Sequence, residues 1–327
     1  MKFRVLLFLF LIFIITGCRA DYINKCEEIS PAEISSAEPV TEIVNNGVHE
    51  NNILEIYVFG IGRADAIIIT TENHAVMIDT GENSNGHEIL DYLLSRRIRT
   101  IDYLIITHFD RDHVGGAHTV IDFLEVKEII VPNYKRESRH VERFELAMQR
   151  AGIEPLVLTE TIRFELDNAG FMINPAQSEY FFFAYDDEDE DSEQEAEPGV
   201  PDYYIEEAPA GNNFSIVVSV SHGENNFLFT GDAQSQRMRE MLENEEIANT
   251  DYDFLKVPRH GRYMSRSAGF INAVSPKYAV ITDSRERPAD ERVISALENA
   301  GAEIFLTRNG GVYVKSDGGA LIVEHKD

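Results

Sequence analysis

"IITHFDRDHVGGAH", residues 105–118, sets His108, Asp110, Asp112 and His113 in six positions between an apolar run and a glycine pair. The residues leading into it, "DYLIITH" (102–108), have the β-branched character of a strand. A strand end followed by a glycine-rich turn lets several side chains converge on one point, because a loop need not obey strand alternation. Imidazole and carboxylate are ligands for Zn, Mn or Fe, so four of them in so short a stretch suggest half of a two-metal site. Taken alone, the same residues also suit a hydrogen-bonded polar loop.

Strand-like runs surround this motif. "ILEIYVF" (53–59), "AIIITT" (66–71) and "AVMID" (75–79) are separated by turn residues such as Gly60, Gly62 and Glu72-Asn73. "GHEILDYLLSRRI" (86–98) places Ile89, Leu90, Leu93 and Leu94 on one helical face. Farther on, "FSIVVSV" (214–220) and "FLFTGD" (227–232) flank "SHGENN" as a hairpin, and a helix is expected over 234–245. "YDFLKVPRHG" (252–261) and "YAVITDS" (278–284) read as strands with polar ends, followed by a helix over 289–300. "EIFLT", "GVYVK" and "ALIVE" close the chain as short strands. No solenoid repeat is present, and strands and helices mixed this way suggest two sheets packed face to face with helices outside. "LFTGDA" and "LKVPRHG" each end an apolar strand, delivering Asp232 and His260.

With 327 residues the chain can bury a sizeable core. Its formal net charge is -28, but Asp186 to Glu207 carry twelve acids and no base, which leaves -16 for the rest. The segment 186–210 reads as a solvated surface insertion. An acidic body repels polyanions, so a sequence-independent grip on nucleic acid is not expected; a polyanion fits only as a substrate, where metal cations dominate the local field.

At the N-terminus Lys2 and Arg4 precede an apolar run, Val5 to Ile15, too short to span a bilayer comfortably. This is the pattern of a secretory signal, residues 1–17, and "ITGC" resembles a bacterial lipobox cut before Cys18, which then receives the lipids. An uncleaved N-terminal anchor is the alternative, and both place the body outside the cytoplasmic membrane. Residues 18–52, rich in Glu, Ser, Pro and Asn, suit a flexible tether. Once Cys18 is used, Cys26 has no partner for a disulfide, so folding rests on the core.

Together these motifs resemble the metallo-β-lactamase fold superfamily, whose signature is a strand followed by HxHxDH and two glycines. Here the signature stands as "THFDRDHVGG", with Asp110 in place of the second histidine. That variant is similar to the extracytoplasmic hydrolase-like domain of the ComEC competence proteins and their secreted relatives. "VFGIGRADAIII" resembles the opening strand pair, "MIDTG" supplies Asp79, "TGDA" the bridging acid Asp232, and "LKVPRHG" the stretch that usually ends in two histidines and glycine. "NNFSIVV" carries Asn-Asn where many relatives place a further ligand histidine.

The resemblance covers most of Ile53 to Glu324 and implies an α/β fold, a four-layer αββα sandwich, over 53–327 with the acidic insertion inside it. It implies two divalent metal ions, Zn or Mn. One would be held by His108, Asp110 and Asp232, the other by Asp112, His113, Asp232 and His260. Asp79 would orient a ligand. Asp112 and Asp232 would be central to catalysis, and Arg259 and Asn213 would contact substrate. Carboxylate in place of imidazole makes the first site oxygen-rich, which favours Mn²⁺ over Zn²⁺.

Arg259 departs from the pattern, standing where relatives commonly have the first of the paired histidines. Arginine cannot act as a general acid near neutral pH, but it can clamp phosphate or carboxylate oxygens. Arg262 and Arg266 follow closely, and "TDSRERPADERVI" departs from the usual "GHP" stretch. The expected function is a membrane-tethered, extracytoplasmic, metal-dependent hydrolase of phosphodiester bonds, acting as a monomer. A catalytically impaired metal- or anion-binding protein on the same fold is the alternative; an amide or lactam hydrolase fits less well without a third histidine in the first site. "FGIGRADA" lacks the third glycine of a nucleotide fingerprint and leads into a strand, so its glycines serve a turn.

Overall fold

Alternating burial builds the first strand: β1 (Leu54–Val58) buries Leu54, Ile56 and Val58 and turns Glu55 and Tyr57 the other way. β2 (Ala66–Thr70) and β3 (Ala75–Thr80) are buried on almost every residue, as strands covered on both faces must be. The computed structural model describes residues 52–177 and 211–326. The signal 1–17, Cys18, the tether up to residue 51 and the acidic insertion 186–210 lie outside the described residues.

Two sheets form. The first runs β15 (Leu321–Lys326), β14 (Gly311–Ser316), β1, β2, β3, β4 (Thr100–Ile105), β5 (Glu125–Pro132), β6 (Leu156–Leu158). The second runs β13 (Glu303–Leu306), β12 (Tyr278–Ile281), β11 (Phe254–Lys256), β10 (Asn225–Phe229), β9 (Val217–His222), β8 (Ala169–Asn174), β7 (Ile162–Leu166). Ile56, Ile67, Val76, Ile78 and Ile105 of the first sheet pack on Phe171, Val218, Val220, Phe227 and Phe229 of the second.

Helices cover both outer faces. α1 (Gly86–Ser95), α3 (Ala117–Phe123) and α4 (Arg139–Ala151) lay Ile89, Leu93, Val120 and Phe144 on Met77, Leu104 and Ile129 of the first sheet. α5 (Ser235–Glu243), α7 (Ser267–Val274) and α8 (Glu291–Asn299) lay Met238, Phe270, Ile271 and Leu297 on Leu228, Leu255 and Ile281 of the second. Two one-turn helices, α2 (Arg111–Val114) and α6 (Glu245–Ala248), sit in the connections. α4 starts where the Ser138 side chain accepts from Val141 N and stops at Gly152, φ 70°. Each fully buried aliphatic or aromatic side chain contributes about 1.5–3 kcal/mol, so three apolar interfaces hold the four layers. The αββα sandwich implied by the sequence is present.

Topology positions the site. β3, β4 and β5 pair in parallel, as do β10, β11 and β12, so their carboxyl ends open at one end of each sheet. There Ile216 N donates to Thr107 O at 3.0 Å, a main-chain bond joining the exit of β4 to the entry of β9. β4 stops at Ile105, so His108 lies in the loop beyond it.

Candidate metal centre

Asp79, buried with φ 55° near the end of β3, is the anchor of the first-sheet side. Its Oδ1 accepts from Thr107 N at 2.8 Å, and its Oδ2 accepts from Thr107 Oγ1 at 2.6 Å and lies 2.7 Å from His113 Nδ1. An ionised carboxylate only accepts, so His113 carries a proton on Nδ1 and turns Nε2 inward as the nitrogen that a cation would take in exchange for its proton. Thr107 gives its proton to Asp79, so its oxygen accepts from His108 Nδ1 at 3.1 Å, and His108 Nε2 turns inward in the same way.

Gly115 and Gly116 are needed for closeness, and their backbone is helical. A Cβ on Gly116 would sit against the Thr80 carbonyl oxygen, and one on Gly115 would come within 2.6 Å of Asn83 N. The glycines therefore let α2, with Asp112 and His113, press against the end of β3.

The second sheet supplies the opposite wall. Gly231, φ 51°, turns the chain after β10, and Asp232 N donates to Ser215 Oγ at 3.1 Å. Arg237, wholly buried, holds that wall: Nε donates to Ser215 O at 3.0 Å, Nη2 to Asn174 Oδ1 at 2.8 Å, and Nη1 to Glu240 at 3.0 Å. Beyond β11, Arg259 (φ 52°), His260 (φ 53°) and Gly261 (φ 75°) are successive left-handed residues. For the two non-glycines this costs roughly 1–3 kcal/mol each, strain of the kind stored at functional sites. The reversal swings His260 inward, where Thr282 Oγ1 donates to Asp65 Oδ1 at 2.6 Å and lies 2.9 Å from His260 Nδ1. A Thr–Asp pair thus aims His260 as Thr107 and Asp79 aim His108 and His113.

Four atoms meet between these walls. Nε2 of His108, His113 and His260 and Oδ1 of Asp232 are buried without a hydrogen-bond partner. His113 Nε2 is 3.4 Å from Asp232 Oδ1; His260 Nε2 is 3.3 Å from Asp232 Oδ2 and 3.4 Å from Asp112 Oδ2. Among the described residues four groups have all their donor atoms within 4.8 Å of one another: His108, His113 and Asp232; Asp112, His113 and His260; Asp65, Asp232 and His260; and Asp65, Asp79 and His113, the last on the Nδ1 side of His113. Leaving buried polar atoms unmade costs about 1–3 kcal/mol apiece, so several in one place fit a bound cation. An imidazole-carboxylate donor set suits Zn, Fe or Mn.

The remaining sequence-predicted residues lie at the rim. Asp110, the N-cap of α2, pairs through Oδ1 with Arg136 and holds Oδ2 3.7 Å from His108 Nε2; it joins none of these groups. Asn213, in a 3-10 turn over Gly211–Phe214, accepts from Arg237 N at 3.4 Å and so braces α5. Arg259 lies against the Gln234 side-chain amide, whose oxygen, with the amide turned to face it, accepts from Nη1 at 2.8 Å and Nη2 at 3.2 Å.

Residues not singled out by sequence patterning complete the centre. Lys256, fully buried at the end of β11, pairs with Asp65 and donates to Gly231 O at 2.9 Å. Burial would raise the Asp65 carboxyl, but Lys256 and His260 hold it well below the usual carboxylate range. Burial likewise opposes ionisation of Asp232, and His260 and His113 outweigh it. The reciprocal effect, again against burial, drives His113 well above an ordinary histidine through Asp232 and Asp79, and pushes His260 up to about 10 through Asp232 and Asp65. The centre is a negative well that attracts cations. A charged residue inside an apolar run, as in "ADAIII" or "FLKV", is the signal that points to Asp65 and Lys256.

Histidines and aspartates brought to one end of two parallel-edged sheets agree with the sequence comparison, in which residues 60–281 match the Metallo-beta-lactamase superfamily. The chain belongs to this superfamily. Over 280 residues it is 24% identical to ComE operon protein 3 of Bacillus subtilis, covering 79% of this chain and 32% of that protein. Over 236 residues it is 26% identical to Recombination protein 2 of Haemophilus influenzae, covering 70% of this chain and 24% of that protein. The chain thus spans about a third or less of these relatives, which carry the ComEC-type resemblance. Among solved structures it is similar to the metallo-beta-lactamase fold protein YhfI from Bacillus subtilis, with TM-score 0.49 and 8% identity, over 84% of this chain and 100% of that one. The family match over residues 60–281 thus gives the superfamily's metal-dependent hydrolase fold, and the structure holds a candidate His/Asp cluster for a metal.

Proposed function

We propose that this protein is a metal-dependent phosphodiesterase, tethered by a lipid on Cys18 outside the cytoplasmic membrane and acting as a monomer. The observation that carries the hydrolase reading is the gathering of three buried Nε2 atoms and Asp232 Oδ1, none with a hydrogen-bond partner, in one place. His108, His113 and Asp232 would hold one divalent cation, Zn or Mn, and Asp112, His260 and Asp232 a second. When bound, such ions supply a nucleophile from water at neutral pH and stabilise developing negative charge.

The protein's own groups do the rest. Thr107 with Asp79 and Thr282 with Asp65 orient the three imidazoles through Nδ1, so that Nε2 is the nitrogen each would offer to a cation. Arg259, steadied by Gln234, faces anionic oxygens of the substrate as a fixed charge. Because Arg259 donates no proton near neutral pH, departure of the leaving group depends on water, and acidic leaving groups are favoured. Arginines around an otherwise acidic body support an anionic substrate, and a nucleic acid strand enters only as such a substrate.

The test is metal content and Mn²⁺-dependent cleavage of a chromogenic aryl phosphodiester by the full chain in detergent. About two cations per chain, with cleavage abolished in Asp112→Ala and Asp232→Ala, is the expected result. Cleavage that survives both substitutions, or bound metal with no turnover of any diester, overturns the reading; the latter leaves a binding protein on a hydrolase frame.

A further inference from the structure

We propose that a cleft beside the metal centre, between the ends of β5, β6 and β8 and the segment entering β9, holds a planar ring borne on the substrate's second ester oxygen, a nucleobase or an aryl group. The proposal rests on the phosphodiesterase reading and deepens it by naming what the diester carries besides its leaving group.

The cleft has a volume of about 210 Å³, and its lining includes Leu158, Ala176, Phe214 and Ile216, with Asn133 and Thr159 as its exposed members. Sites for drug-sized molecules run to roughly 300–1,000 Å³, so this one admits a single ring system and little more. Leu158, Ile216 and Phe214 give it apolar walls against which a ring can pack, and the Asn133 amide and Thr159 hydroxyl offer donors and acceptors to a ring edge.

Strand pairing places this cleft next to the centre. β5 pairs in parallel with β4, whose exit carries Thr107 and His108, and β9 pairs with β10, whose exit carries Asp232. Paired strands lie about 5 Å apart, so the cleft stands one or two such steps to the side of the ligands, a distance that the ester group of a bound phosphodiester spans. The two share a wall. Ile216 N donates to Thr107 O at 3.0 Å, and Ser215, between Phe214 and Ile216, accepts from Asp232 N at 3.1 Å. The Phe214 ring lies 4.9 Å from that of Tyr134, whose hydroxyl accepts from Phe109 N at 2.7 Å.

The far wall is held as well. Asn174, at the end of β8, donates to Thr161 Oγ1 at 2.8 Å and accepts from Arg237, and Gln177 N donates to Glu240 at 3.2 Å, which pins the segment that carries Ala176. A cleft built in advance loses little on ordering when a ring enters it.

Kinetics on three diesters that share p-nitrophenol as leaving group, with methyl, phenyl or thymidine as the other ester group, tests this in the Mn²⁺-loaded full chain. KM for the phenyl and thymidine esters is expected at least about tenfold below that for the methyl ester, with similar kcat. In calorimetry thymidine 5′-monophosphate should bind at least about tenfold more tightly than methyl phosphate. Ala176→Trp and, at an exposed position, Thr159→Trp put an indole into the cleft and should each reduce these ratios to about twofold or less with metal content retained. Arg163→Gln, in an exposed pair with Glu246, should leave the ratios intact. A thymidine ester favoured over the phenyl ester assigns the cleft to a nucleobase, and the reverse assigns it to a plain aryl ring. Equal KM for all three esters, or ratios that survive both tryptophan variants, overturns the cleft as a subsite, while cleavage of the methyl ester would leave the phosphodiesterase reading standing. A monophosphate preference lost in the tryptophan variants of a protein that cleaves no diester would instead establish the cleft and remove that reading.

Discussion

Asp79 Oδ2 lies 2.7 Å from His113 Nδ1, which fixes both the ring orientation and the protonated nitrogen of that histidine. The same carboxylate holds Thr107, which in turn orients His108. Asp79→Asn is therefore expected to weaken metal binding by about 10–100-fold while the fold persists. Competition with a chromogenic chelator reads the affinity; a change below about threefold would show that packing alone orients His113.

Lys256 and Asp65 form an ion pair with no access to water. Lys256→Met leaves Asp65 as an uncompensated buried charge, and the expected loss is about 3–5 kcal/mol in urea unfolding. Adding Asp65→Asn to Lys256→Met should recover much of that loss. A double variant no more stable than Lys256→Met would mean that the pair contributes through packing and not through charge.

Burial disfavours charge on His260, but Asp232 and Asp65 outweigh it and push its pKa up to about 10 from an ordinary 6.5. In protein stripped by a chelator, protonated His260 adds stability that is complete below about pH 6.5 and is lost as pH rises through about 10. Metal binding has the opposite sign, since the cation must displace that proton, and its affinity rises over the same interval. The melting-temperature gap between loaded and stripped protein should therefore widen with pH. A gap that is flat across this interval would remove His260 from the ligand set.

Gly116 allows α3 to start against the Thr80 carbonyl oxygen. Gly116→Ala forces that backbone contact apart and is expected to destabilise by roughly 1–3 kcal/mol. Because α2 carries Asp112 and His113, metal affinity should fall with it. Wild-type affinity in a destabilised variant would show that α2 and β3 move as one body.

The ligand-bearing loops were legible because each follows an apolar strand and packs its polar residues close together in sequence: "HFDRDH", "TGDA" and "PRHG" announce themselves locally. So do most of the strands, whose burial alternates or is continuous. β6, with two of its three residues exposed, and β7, with none fully buried, carry too little apolar signal to be read that way.

By itself the sequence indicated the α/β class and the two-sheet arrangement through periodicity, while the His and Asp candidates for the centre came from local clustering together with the family resemblance. Only the tertiary structure decided which side chains finish it. Asp65 meets His260, Lys256 and Thr282 because the start of β2 lies beside the ends of β11 and β12, and that meeting has no local signature. Asp110 is a ligand by resemblance, and in the structure Arg136 of a later loop takes one of its oxygens while the other lies 3.7 Å from His108 Nε2. Arg259 reads as an open clamp in sequence, and in the structure Gln234 grips it. The physical reason is common to all three: a charged group's role depends on which charges share its low-dielectric neighbourhood, and folding, not spacing along the chain, brings those together.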